Sequence, residues 1–162
     1  MAQPAVVVAF TSRCGTTETL AHAAAVGVVN SRALPRLRRL ADDGGLTPPD
    51  CAATLQRMQK EYVLPTEADI IGSPALIVVP SAGMTPASDA WQPFIAMLDR
   101  LASTGSLRGK LGAVIDAGDR QTIAAFSSAL AQRGFTLIAP DGDARAHGRA
   151  VGIALLAHVE KT

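Results

Sequence analysis

Three runs in this chain are apolar at every position and only as long as a strand: Ala5 to Ala9, Ala75 to Val79 and Leu111 to Ile115. A strand with one wetted face alternates apolar and polar residues. One without alternation is buried on both faces, as in a parallel sheet covered by helices. Each run is followed by a helical pattern. Thr17 to about Asn30 lines up Leu20, Ala21, Ala24, Ala25, Val28 and Val29 as a stripe of mostly small side chains. From near Ser88, Phe94, Ile95, Met97, Leu98 and Leu101 mark the buried side of a second helix, and Gln121 to Arg133 forms a third that Gly134 stops. Strands alternating with helices indicate crossover units, and right-handed crossovers place helices on both faces of an open sheet.

The other segments complete the pattern. Arg32 to Leu40 mixes Ala33, Leu34, Leu37 and Leu40 with arginines and a proline, which a short edge strand tolerates and a central one does not. Behind Pro48-Pro49, Cys51 to about Tyr62 reads as a helix with Leu55, Met58 and Val63 inward. Phe135 to Ala139 is the last strand. Ala144 to about Glu160 is a closing helix that should bury Val151, Ile153, Leu155, Leu156 and Val159. The expectation is one α/β domain over residues 1–162, a three-layer sandwich around a five-stranded parallel sheet of order 2-1-3-4-5.

In such a sheet, ligands sit beyond the carboxyl ends of strands 1, 3 and 4. Here those ends are the loops at Ser12, Pro80 and Asp116. The first runs Ser12-Arg13-Cys14-Gly15-Thr16-Thr17 from strand into helix. Unpaired N–H groups in the first turn of a helix, together with its partial positive charge, favour an anion. Ser12, Thr16 and Thr17 add hydroxyl donors, and Gly15 lets the backbone come close. Arg13 is a candidate to screen a phosphate, although most such arginines are simply solvated. Cys14 is a candidate reactive thiol at a helix N-terminus, or merely a small residue that fits the turn. No lysine stands near enough for a Walker loop, only Gly15 of a dinucleotide fingerprint is present, and Leu20 occupies the place of a cysteine-phosphatase arginine.

Composition excludes several classes. A net charge of +1 makes no electrostatic case for nucleic acid or an anionic membrane surface. No apolar run approaches the ~20 residues of a membrane span. The first strand begins within a few residues of Met1, so no secretory leader is expected. Two cysteines far apart in sequence fit a reducing cytoplasm. His22, His147 and His158 are too widely spaced to share a metal, and no Gly-x-Ser-x-Gly elbow supports a hydrolase. Trp91 reads as core or interface.

The chain resembles the flavodoxin-like NAD(P)H:quinone oxidoreductases, also called tryptophan-repressor-binding proteins. The likeness is carried by Phe10 through Ala21, which parallels the family's strand, phosphate loop and helix start. It continues through the Ala75-to-Ser81 strand with Gly83-Met84, a helix with Phe94 and Leu98-Asp99, and then Leu107-Arg108-Gly109-Lys110. Gln132-Arg133-Gly134-Phe135 and Ala144-Arg145 with Gly148 and Val151 complete it. The resemblance implies FMN, its phosphate in the loop Ser12, Arg13, Cys14, Gly15, Thr16 and Thr17. It implies an isoalloxazine between Pro80, Ser81, Ala82, Gly83, Met84 on one side and Asp116, Ala117, Gly118, Asp119 on the other. It further implies an NAD(P)H donor, a quinone-like small-molecule acceptor and a homodimer or homotetramer. The departures are the lack of an aromatic ring after Pro80 and a shortened strand-4 loop bearing Asp116 and Asp119, a pair that could serve acid/base work or, at least as readily, cap the next helix. A one-electron flavodoxin-type carrier and a flavin-free binding or structural protein on the same scaffold are the alternatives.

Overall fold

The computed structural model describes residues 3–42, 45–115, 118–140 and 142–160, with side chains to His158 in the last helix. Five strands, β1 (Ala5–Phe10), β2 (Leu34–Arg39), β3 (Ala75–Val79), β4 (Leu111–Val114) and β5 (Thr136–Leu137), form one sheet of order β2-β1-β3-β4-β5. Every pairing is parallel, with Val6 beside Ala75 and Pro35, and Ala75 beside Leu111. The helices are α1 (Thr16–Asn30), α2 (Ala52–Glu61), α3 (Glu67–Ile71), α4 (Gln92–Ser103), α5 (Arg120–Gln132) and α6 (Ala144–Glu160), with a 3-10 turn over Pro49–Cys51.

The pleat sorts β1 into two cores. Val6, Val8 and Phe10 join Ile77 and Val79 beneath α1 and α6. Val7 and Ala9 join Leu76 and Val78 beneath Phe94 and Leu98 of α4 and Phe126 and Leu130 of α5. All six β1 residues are buried, which accounts for the missing alternation. Trp91 is sealed in the second core, edge-on to Phe94 and Phe126. It therefore belongs to the monomer's interior and makes no case for a subunit contact.

Helices α1 and α6 cross with glycines at the seam. A Cβ on Gly148 would stand 2.8 Å from the carbonyl carbon of Ala24, and one on Gly27 would stand 2.7 Å from the amide of Arg149. Both obstacles are backbone. This close approach explains the small-residue stripe of α1.

Several expected contacts differ. Val63 is exposed and Leu55 only half-buried, so Met58 is the one side chain of α2 buried in the interior. Ile153 is exposed because it lies about 200° around the helix from Leu155, which is fully buried; the side chain of Val159 lies outside the described residues. The last strand is only Thr136–Leu137, both exposed. The segment after α2 contains the short helix α3, begun by a capping box between Thr66 and Asp69. The largest correction concerns the cysteines: Cys14 and Cys51 form a disulfide with their Cα atoms 4.8 Å apart. Separation in sequence was no guide to separation in space, because β2 returns the chain alongside β1.

Candidate functional site

The site is built at the carboxyl end of β1. Gly15 is the N-cap residue of α1 with φ +94°, a left-handed conformation that a side chain would strain. This φ turns the chain sharply from strand to helix. The backbone N–H groups of Cys14, Thr16 and Thr17 have no acceptor among the described residues, while Cys14 and Thr16 are exposed. Two neighbouring amides are already used: Ser12 Oγ accepts from Gly15 N at 3.1 Å and from Glu18 N at 3.4 Å. Ser12 thus shapes the cradle from within, and three amides remain for a ligand.

Hydroxyls tie this loop to the one after β3. Ser81 N donates to Thr11 Oγ1 at 3.1 Å, and Ser81 Oγ donates to the Thr11 carbonyl at 3.1 Å. Thr17 Oγ1 lies 3.2 Å from Ser81 Oγ, and Thr11 Oγ1 reaches Met84 Sδ at 3.4 Å. Thr17 and Ser81 are therefore brought together. Met84 is half-buried beside them, whereas Ala82 and Gly83 are exposed and Pro80 is buried at the strand end.

A cavity of about 260 Å³ opens here, lined by Thr11, Ser12, Arg13, Arg39, Asp42, Ser81, Met84 and their neighbours. One wall comes from the carboxyl end of β2, a contribution that sequence reasoning missed, and none of the described lining residues belongs to the β4 loop. Arg39 is buried and donates from Nε and Nη2 to the Ser12 carbonyl at 3.1 and 2.8 Å, while also pairing with Asp42. A guanidinium pinning one carbonyl with two donors holds the loop rigidly. The signal was present in the paired arginines of an edge strand. Arg13 extends over the same wall and donates from Nη1 to the Leu46 carbonyl at 2.7 Å.

On the far side the β3 and β4 loops approach each other. Asp119 is the N-cap of α5, accepting from Gln121 N at 3.0 Å and Thr122 Oγ1 at 2.8 Å. The Thr122 hydroxyl first, then the amide of Gln121 and that of Gly83, hold its carboxyl below the usual range. Asp119 therefore caps a helix. Gly118 is exposed beside it, and Asp116 and Ala117 lie outside the described residues.

A carboxylate in the first turn of α1 would oppose an anion, and Glu18 stands there, buried. Arg57 of α2 neutralises it with bonds of 2.6 and 2.9 Å, and Tyr62 Oη donates to it at 2.6 Å. His22 Nε2 lies 2.6 Å from the same phenol oxygen. The Arg57 guanidinium is the main cause that holds the Glu18 carboxyl low, while burial followed by the Glu18 carboxylate pushes the Tyr62 phenol up. Helix α2 is thereby fastened over the loop, and the disulfide adds a covalent tie at Cys14. Among the described residues no group of three or more His, Cys, Asp or Glu could hold a metal, and no helix is long and apolar enough to cross a membrane.

No family model matches the chain, and no curated protein does. Solved structures do. A diflavin flavoprotein from Nostoc sp. superposes with a TM-score of 0.62 at 16% identity, over 100% of both chains. A flavodoxin, WrbA-like protein from Agrobacterium tumefaciens gives 0.61 at 14% identity, covering 98% of this chain and 99% of that one. The two-electron reduced flavodoxin of Megasphaera elsdenii gives 0.60 at 15% identity, covering 91% and 98%. The fold is the flavodoxin-like one, a five-stranded parallel sheet of order 2-1-3-4-5 between helical layers.

Proposed function

We propose that the protein binds FMN through its phosphate and uses it to pass two electrons from NAD(P)H to a quinone-like small-molecule acceptor in the cytoplasm. The observation that carries the reading is the first turn of α1: three amides without acceptors among the described residues, at an exposed turn beside a cavity of about 260 Å³. The names of the similar structures, flavoprotein and flavodoxin, support the choice of ligand. When bound, the flavin would supply the hydride and electron chemistry.

The chain's own residues divide the work. The amides of Cys14, Thr16 and Thr17 and the hydroxyl of Thr16 would hold the phosphate, with Arg13 screening its charge. Thr17 and Ser81 would keep the β1 and β3 loops in register through their hydroxyls. Met84 would pack on the ring in place of an aromatic. The ring would lie between Pro80–Met84 and Gly118–Asp119, where no aromatic side chain stands to stack on it, so phosphate recognition should dominate affinity. A homodimer or homotetramer belongs to the same reading, supported by exposed Val26, Val29 and Ile153 on α1 and α6.

Titration of FMN, riboflavin and inorganic phosphate by flavin fluorescence and competition tests this. FMN should bind, phosphate should compete with it, and riboflavin should bind far more weakly. Gly15→Val, which places a β-branched residue at φ +94°, should abolish phosphate competition. Equal binding of FMN and riboflavin would refute the phosphate loop. NADPH or NADH oxidation dependent on both FMN and a quinone would establish the activity, while acceptance of single electrons only would favour the carrier alternative.

A further inference from the structure

We infer that the Cys14–Cys51 disulfide is a reversible thiol–disulfide exchange site whose redox state sets the affinity of the α1 anion loop. The inference rests on the reading of that loop as the phosphate site. One sulfur belongs to the loop itself, one residue before the N-cap Gly15. The other ends the 3-10 turn Pro49–Cys51 that leads into α2. The bridge thus joins the cradle to a segment with little burial of its own: Gly45, Leu46, Pro48, Pro49 and Asp50 are all exposed. It is reachable, because Cys14 is exposed and Cys51 only half-buried.

Breaking the bridge would not release α2. Met58 is fully buried, Arg57 keeps its two bonds to Glu18, and Gln59 Nε2 donates to Asp42 at 3.0 Å. What loosens is local: Cys14, the 3-10 turn, and the packing of Thr54 against Gly15, where Thr54 Cγ2 would lie 3.3 Å from an added Cβ. Cys14 contributes one of the three available amides, so its backbone must be ordered for the cradle to be complete. With the bridge closed, that ordering precedes binding. With it open, the anion must impose it, and fixing one residue's backbone corresponds to about a tenfold loss of affinity.

The exchange balances with an external dithiol protein or small-molecule dithiol as reductant. A thiolate of the reductant attacks Cys14 Sγ, the S–S bond breaks, and Cys51 leaves as thiolate and takes up a proton. The reductant's second thiol then displaces Cys14, which is protonated in turn. Two electrons and two protons pass to this protein, and the reductant becomes a disulfide.

The native protein is treated with dithiothreitol without denaturant, thiols are counted, and FMN affinity is measured before, after, and on reoxidation. Two thiols should appear, affinity should fall about tenfold, and reoxidation should restore it. The double variant Cys14→Ser/Cys51→Ser should bind like the reduced protein in either condition. Thiols that appear only after unfolding, or affinity unchanged by reduction, would overturn the inference. If neither form binds FMN or phosphate, the phosphate-site reading fails, and amide hydrogen exchange decides the latch separately. Faster exchange over residues 13–18 and 45–53 on reduction would sustain the local loosening, and unchanged exchange would overturn it.

Discussion

Replacing Gly148 with alanine tests whether α1 and α6 touch backbone to backbone. In an exposed helix interior the change would stabilise by about 0.5–1 kcal/mol, since alanine loses less conformational freedom. Here the new Cβ would stand 2.8 and 2.9 Å from the carbonyl carbon and Cα of Ala24. Ordinary carbon contacts are ~3.5–4.0 Å, so the helices would have to part by about 1 Å. Val28, Val151 and Leu155, all fully buried between these helices and the sheet, would lose contact as they did so. Overpacking of this kind costs about 1–3 kcal/mol, leaving a net destabilisation of about 1–2 kcal/mol. For a chain of this length the melting temperature should fall by about 2–8 °C, read by circular dichroism. Gly152→Ala offers an internal control, because its obstacle is the Ser31 side chain, with Cβ at 2.8 Å. Ser31→Gly in the same protein should restore part of the loss, less the contribution of the 2.7 Å bond from Ser31 Oγ to the Val28 carbonyl. A Gly148→Ala protein that melts higher than the parent would refute the close crossing.

The disulfide closes a 37-residue separation, so the Cys14→Ser/Cys51→Ser protein should lose about 2–4 kcal/mol of unfolding free energy in urea while remaining folded. Glu18 and Asp69 both have carboxyls held low, chiefly by Arg57 and Arg38 respectively. Their stabilisation is therefore complete above the ordinary carboxylate range, about pH 4–5, and is lost as pH falls through the lowered values. Glu18→Gln should flatten the acid limb of a urea-midpoint-against-pH curve, and an unaltered limb would mean the Arg57 pair contributes nothing. Arg39→Met should weaken phosphate competition at the loop without unfolding the protein, because it removes both donors to the Ser12 carbonyl; competition equal to the parent would show that the loop keeps its shape alone.

The central sheet was legible because β1, β3 and β4 are buried on both faces, and nothing but an unbroken apolar run serves such a strand. The turn from β1 into α1 was legible in its shape: a single glycine between an apolar strand and a helix marks a sharp change of direction, which Gly15 makes at φ +94°. Segments held by pairs of distant residues were not. Arg38 clasps Asp69 in two bonds of 3.0 and 3.1 Å, and Arg57 clasps Glu18, partners 31 and 39 positions apart. No periodicity announces such a partner. Helix α3 is too short for a repeat to emerge, although Thr66 followed three residues later by Asp69 is a start signal that could have been read. Phe135 is buried where the fifth strand begins, but β5 is only Thr136–Leu137, followed by one further bond to β4 from Ile138 N to the Gly112 carbonyl, so an apolar composition overstated the strand.

The two lateral strands limit how copies of this chain could assemble. β2 carries Arg36, Arg38 and Arg39, of which Arg36 and Arg38 are engaged by Asp69, and β5 offers only two residues. Charged side chains along one border and a truncated opposite border both discourage continuation of the sheet into a second molecule. A symmetric assembly would therefore have to grow through the layers above and below the sheet, with the barrel-like extension open to many β-proteins closed to this one. Contact through the α1–α6 layer would leave the carboxyl-end cavity facing outward in every copy, so that each subunit would keep its own independent entrance for a ligand.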